Sequence, residues 1–171
     1  MVDFSNSKKI VIAIIIFYGL TISSIQLIAP SEIITEMPER CPENSANCAR
    51  IAHDGTSYRI DSSEGISIEG TPSEVQAEIE NWLNEQFSGG VLYSNVNNEN
   101  STFIHGVDRT PFWFFPDDVY TEITCDSSGK TLVTLQSESR LGIGDLNKNP
   151  ERISDLMEHL IQIEWSGDSC N

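Results

Sequence analysis

Residues 119–160 read VYTEITCDSSGKTLVTLQSESRLGIGDLNKNPERISDLMEHL, and this stretch decides the fold. Its first part alternates. Val119, Thr121, Ile123 and Cys125 share one strand face, with Tyr120, Glu122 and Thr124 on the other, because side chains two apart point alike. Asp126-Ser127-Ser128-Gly129 has the chemistry of a turn. The partner strand, residues 131–139, sets Val133 and Leu135 on the same face as Ser137 and Ser139, so an apolar face turns polar at its far end. The period then becomes helical: Asn149-Pro150-Glu151-Arg152 reads as cap and helix start, and Ile153, Leu156, Met157, Leu160 and Ile161 as a buried stripe.

Upstream the same logic adds a helix and a hairpin. Thr71-Pro72-Ser73-Glu74 supplies an N-cap, a proline at the first helical position and the glutamate of a capping box. Val75, Ile79, Trp82, Leu83 and Phe87 follow at helical spacing, with Glu78, Glu80, Asn81 and Glu85 opposite, and Gly89-Gly90 marks the end. Residues 91–96 and 101–107 alternate around the polar turn Asn97-Asn98-Glu99-Asn100, a hairpin pattern. Tyr58-Arg59-Ile60 and Ile66-Ser67-Ile68 alternate briefly, as edge strands do. The expected fold class is α+β: an antiparallel sheet of about four strands with two helices packed on one face, preceded by an N-terminal transmembrane helix.

That first helix is read from residues 10–29, which carry no charge and follow Lys8-Lys9. At about 1.5 Å per residue such a run just spans a hydrocarbon core. Residues 1–30 are therefore expected to be a membrane anchor or signal segment, with the retained anchor favoured because the apolar run passes the weak small-residue site Thr21-Ile22-Ser23. The lysines leave the amino terminus in the cytoplasm and the C-terminal domain outside it. Secretion after cleavage is the alternative. Residues 31–40 read as a tether and residues 41–171 as one exported domain.

Acidic residues outnumber basic ones 26 to 10. A chain so short of clustered Lys and Arg is a poor partner for nucleic acid, and its acidity reads as a solvated surface. In an exported domain Cys41 and Cys48, seven positions apart in a turn-rich segment, read as a small disulfide ring that contributes about 2–3 kcal/mol. Cys125 and Cys170 are candidates for a second bridge. Zinc is the weaker reading of the four cysteines, since none stands in a Cys-x-x-Cys knuckle. Neither a metal site nor a cofactor is expected.

Ordered pieces across the chain resemble a known family. Cys41-Pro42 with Asn47-Cys48, Phe115-Pro116-Asp117-Asp118-Val119, Ser137-Glu138-Ser139-Arg140 with Gly142, and Asp145 followed by Asn149 and Arg152 are similar to the proteins grouped as domain of unknown function 1499 (DUF1499). The chain departs from that pattern in its cysteine spacing, in Ala49-Arg50 after the second cysteine, and in Asn147 and Pro150 where Gly and a basic residue are usual. Asn147 can stand in for Gly because Asn tolerates a left-handed backbone. The resemblance implies a membrane-associated or exported location and no particular activity.

The candidate site is the turn from strand to last helix. Ser137, Ser139, Arg140 and Asp145, with Asn149 and Arg152 at the helix start, are placed to bind a small anion, since a helix N-terminus and two arginines favour negative charge. The competing and favoured reading is structural: Arg140 with Asp145 or Asp117 forms a buried ion pair while the serines cap backbone groups. A hydrolase built on Ser137, Ser139, Arg140 and Asp145 is the enzymatic alternative, but no Gly-x-Ser-x-Gly elbow is present, and His53, His105 and His159 are scattered. His105 reads as a strand residue with a hydrogen-bonded partner, and no catalytic residue is assigned. Asp117-Asp118 cannot act as a pair, because adjacent strand residues face opposite ways. The aromatic run between Pro111 and Pro116 reads mainly as a core-covering corner, with Phe112, Trp113 and Phe114 as a candidate surface for a protein partner or lipid. The overall expectation is a non-enzymatic binding or interaction module for a small anion or a protein, held at the membrane.

Overall fold

The computed structural model describes residues 4–61, 65–98, 101–167 and 170. A 25-residue helix, α1 (Phe4–Ile28), comes first and is long and apolar enough to cross a membrane. The domain then runs β1 (Cys48–Ile51), β2 (Ile66–Ile68), α2 (Pro72–Glu85), β3 (Gly90–Asn98), β4 (Ser101–Arg109), β5 (Pro116–Cys125), β6 (Thr131–Ser139) and α3 (Lys148–Gln162). The named strands pair antiparallel, in the order β1-β6-β5-β4-β3, with β2 also on β6.

The sheet has six strands where about four were expected. Ile66-Ser67-Ile68, read from its alternation as an edge strand, is one of the two beyond the four long strands, alternating buried, exposed, buried along β6. The other, β1, was invisible to periodicity because its four residues are all buried and show no alternation. Tyr58 makes only an isolated bridge to Arg50, and Arg59 breaks any strand there with φ 54°. The expected turn at Asn97-Asn98-Glu99-Asn100 falls partly outside the described residues.

The core lies between one sheet face and two helices. Ala49, Ile51, Ile104, Val119, Ile123, Val133 and Leu135 meet Val75, Ile79 and Leu83 of α2 and Ile153, Leu156 and Leu160 of α3. A fully buried Leu or Ile contributes about 1.5–3 kcal/mol, so this cluster is the main stabilising element. Helix α2 starts as its sequence predicts, with the Thr71–Glu74 capping box complete and proline in the first turn. It sits so close to β4 that a Cβ on Gly106 would fall 2.6 Å from the Leu83 side chain.

Both helical stripes end earlier than the pattern suggested. Helix α2 stops at Glu85, before Gly89-Gly90, so Phe87 lies outside it and is 82% exposed. In α3, Met157 is half-buried and Ile161 exposed. The cysteines form two disulfides, Cys41–Cys48 and Cys125–Cys170. The latter ties the end of β5 to the stretch after α3. The apolar helix and the disulfides are those of an anchor or signal ahead of an exported domain.

Candidate functional site

Asp117 and Asp118 are neighbours on β5 that point to opposite faces, and each collects an arginine from a different element. On the helix side Asp117 accepts from Arg152 Nη2 at 2.8 Å. The same guanidinium donates Nε to Asp108 at 2.9 Å and Nη1 to Ser137 Oγ at 3.0 Å and Asn149 Oδ1 at 2.8 Å. Ser137 Oγ lies 2.7 Å from Asn149 Oδ1 and 3.1 Å from the carbonyl of Asp118, and Asn149 Nδ2 donates to Ser139 Oγ at 3.0 Å and to the carbonyl of Asn47 at 2.8 Å. All of these side chains except Asp108 and Asn47 are buried. Burial pushes the Asp117 carboxyl above its ordinary range, against the pull of Arg152, and its second oxygen is buried without a hydrogen bond among the described residues.

The start of α3 is closed by Asp145. Its carboxylate accepts the N–H groups of Asn147 at 2.9 Å and Asn149 at 3.1 Å, and both terminal nitrogens of Arg59 at 2.8 and 3.2 Å. Burial works to raise the carboxyl, but these hydrogen bonds hold it below the ordinary range. Asn149 was expected as the cap; it is instead inside the helix, and Asn147 precedes it at φ 71°, the left-handed backbone its side chain tolerates.

Among the described residues, the other face of the sheet carries no second layer of helices. Asp118 accepts there from Arg140 Nη2 at 2.6 Å and Nε at 3.0 Å and from His105 Nε2 at 2.7 Å. His105 Nδ1 accepts the N–H of Ile34 at 3.0 Å, which leaves the ring proton on Nε2, where it donates to Asp118. Burial works to raise the Asp118 carboxyl; the donors from His105 and Arg140 hold it below its usual range. One cross-strand row on this face runs Tyr93, His105, Tyr120, Gln136, Arg50. Burial and the nearby Asp118 and Glu138 push the Tyr120 hydroxyl well up.

The segment read as a tether lies across this face. Arg140 Nη1 donates to the carbonyl of Pro30 at 3.0 Å, His105 accepts from Ile34, and Arg50 Nη1 donates to the carbonyl of Pro38 at 2.7 Å. These are main-chain contacts, independent of the strap's side chains. Two cavities open beside it. One of about 880 Å³ is bordered by Glu36, Glu39, Asp54 and Glu122 against Arg40 and Arg50, and one of about 270 Å³ by Glu32, Asp118, Tyr120, Glu138 and Arg140.

The six expected site residues are thus divided. Ser137, Ser139, Asn149 and Arg152 share one closed network, Asp145 joins it through the Asn149 amide, and Arg140 faces the opposite side. At these residues the arginines pair as Arg152–Asp117, Arg152–Asp108, Arg140–Asp118 and Arg59–Asp145, which differs from the pairing of Arg140 with Asp145 or Asp117 weighed from sequence. Sequence reading missed Arg50, Arg59, Asp108, Asp118 and Gln136. Only Asp118 had a signal, its position beside Asp117 with reversed facing. Ser137 is fully buried, and among the described residues no His or carboxylate is hydrogen-bonded to its hydroxyl. Among the described residues no group of three or more His, Cys, Asp or Glu is placed to hold a metal ion.

The aromatic run is a loop between β4 and β5. It leaves Phe112 64% and Trp113 43% exposed, which corrects the core-covering reading, while Phe114 and Phe115 are half-buried. Compared with known proteins, residues 39–160 match the family described as Protein of unknown function (DUF1499). No curated protein and no solved structure matches the chain.

Proposed function

The chain belongs to the DUF1499 family, which brings no activity with it, and from that premise we propose a non-enzymatic interaction module whose working surface is the open face of the sheet. In this reading α1 holds the chain in the membrane and the domain stands outside the cytoplasm. The partner is a protein that presents an extended, basic segment to the strap-lined groove.

One observation carries the reading: Arg50, His105 and Arg140 already bind the main chain of residues 30–38, a segment without helix or strand, on this face. A surface that grips carbonyl and amide groups can accept an extended chain in the same manner. The larger cavity beside it has four carboxylates and two guanidinium groups on its border, which favours a basic partner over an anion. The small-anion reading of the α3 start has less support, since Asp145 already fills the helix amides, and Arg140 and Arg152 are held by carboxylates.

Chemical-shift mapping of the full chain in detergent micelles tests the choice. A lysine-rich extended peptide is expected to move the resonances of Glu36, Tyr93 and Glu122, and inorganic phosphate to leave those of Asn147 and Asn149 in place. Phosphate shifts confined to Asn147 and Asn149, with no response to the peptide, would return the site to the helix start.

A further inference from the structure

The loop Thr110-Pro111-Phe112-Trp113-Phe114-Phe115 carries no charge, in a chain of net charge −16. It is preformed. The N–H of Thr110 donates to the Phe115 carbonyl and that of Phe114 to the Thr110 carbonyl, both at 3.0 Å, and Thr110 Oγ1 accepts from Phe115 N–H. Phe114 is held at φ 56°, a left-handed conformation that a bulky side chain adopts only under constraint from its surroundings. The closed loop turns Phe112 and Trp113 outward.

The second half of α1 runs beside it. The Tyr18 hydroxyl donates to the carbonyl of Phe112, and Gln26 Nε2 donates to that of Phe114 at 2.6 Å. The Tyr18 ring lies 5.2 Å from Phe112 and 6.2 Å from Trp113, centre to centre. Tyr18 and Gln26 are polar groups within an apolar span, where hydrocarbon offers them no partner. The loop carbonyls supply one to each. Their positions are about 12 Å apart along the helix at the usual rise per residue, all of it in the C-terminal half of the span. From this geometry we infer that the loop is a membrane foot: it stands beside α1 in the outer leaflet, with the Phe112 and Trp113 side chains among the acyl chains. The inference rests on the reading of α1 as a retained anchor. Neutral lipid is the fitting surface, because a domain this acidic is repelled by anionic headgroups.

The test uses the full chain in phosphatidylcholine vesicles whose acyl chains are brominated, read by tryptophan fluorescence beside Trp113→Phe, a variant that keeps the aromatic bulk. Wild type is expected to be quenched by the lipid, and the variant to lose more than half of that quenching. Trp113 quenched instead by aqueous acrylamide, or shielded from both quenchers, overturns the foot. Alkaline carbonate extraction of the same vesicles separates the two readings. A chain that stays with the lipid while Trp113 is unquenched keeps its anchor and loses the foot, whereas a chain released into solution loses both.

Discussion

The two faces of the sheet solve the same electrostatic problem in opposite ways. Asp117 and Asp118 are consecutive, each pairs with an arginine, and both pairs are largely shielded from water. On the helix side Arg152 is surrounded by this chain's own side chains, from Asp108, Asp117, Ser137 and Asn149. On the open side Arg140 and His105 spend bonds on the backbone of a single strap that crosses the face without helix or strand. A site whose donors all belong to the folded core is a fastening. In the proposed function, one whose groups hold a peripheral segment has an occupant that a partner chain exchanges.

The largest effect that probes this contrast is expected from Arg152→Met. It leaves Asp108, Asp117, Ser137 and Asn149 without their shared donor inside the core, and uncompensated buried charge costs about 3–5 kcal/mol in chemical denaturation. Arg140→Met should cost less, about 1–3 kcal/mol, because Asp118 keeps His105 and the strap can move to admit water. Its signature is local: proteolysis in residues 30–38 should accelerate while the melting cooperativity of the domain stays. Equal losses in the two variants would break the comparison.

A smaller effect is expected at Asp145. Its folded pKa lies below the ordinary carboxylate range, so the stability it contributes is present above that range and is lost as pH falls through the folded value. Asp117 and Glu138 have raised values and act with the opposite sign, their contribution falling as pH rises through the range. Asp145→Asn should therefore lose roughly 1 kcal/mol near neutrality, as capping substitutions do. It should also flatten the fall in melting temperature between about pH 5 and about pH 3. An unchanged acid slope would mean that Asp145 is not held by Arg59 and the helix amides.

Much of this architecture was legible because the long elements carry their own period. Strands β3 to β6 are nine or ten residues long, enough for their sequence to be read as strand, and Thr71, Pro72 and Glu74 announce α2. The four-residue β1 had no room to show a period, and its partners on β6 lie far along the chain. Of the six residues grouped from sequence, Ser137, Ser139, Asn149 and Arg152 meet because strand facing and helix start converge on one corner, whereas Arg140 turns to Asp118 on the other face. The choice of ion-pair partners was not readable: it depends on where Arg59 and Asp108 arrive in space. Residues 31–40 looked like a tether because a strap held through its main chain leaves no pattern in its side chains.

Amide hydrogen exchange at Ile34 and Asn149, read in one sample of the native full chain, tests the contrast most directly. The Ile34 amide is expected to exchange by local opening, far faster than Asn149, whose N–H on Asp145 should open only with the whole domain. Exchange of both amides at the single rate of global unfolding would show the strap to be as permanent as the core, and would contradict a displaceable occupant on the open face.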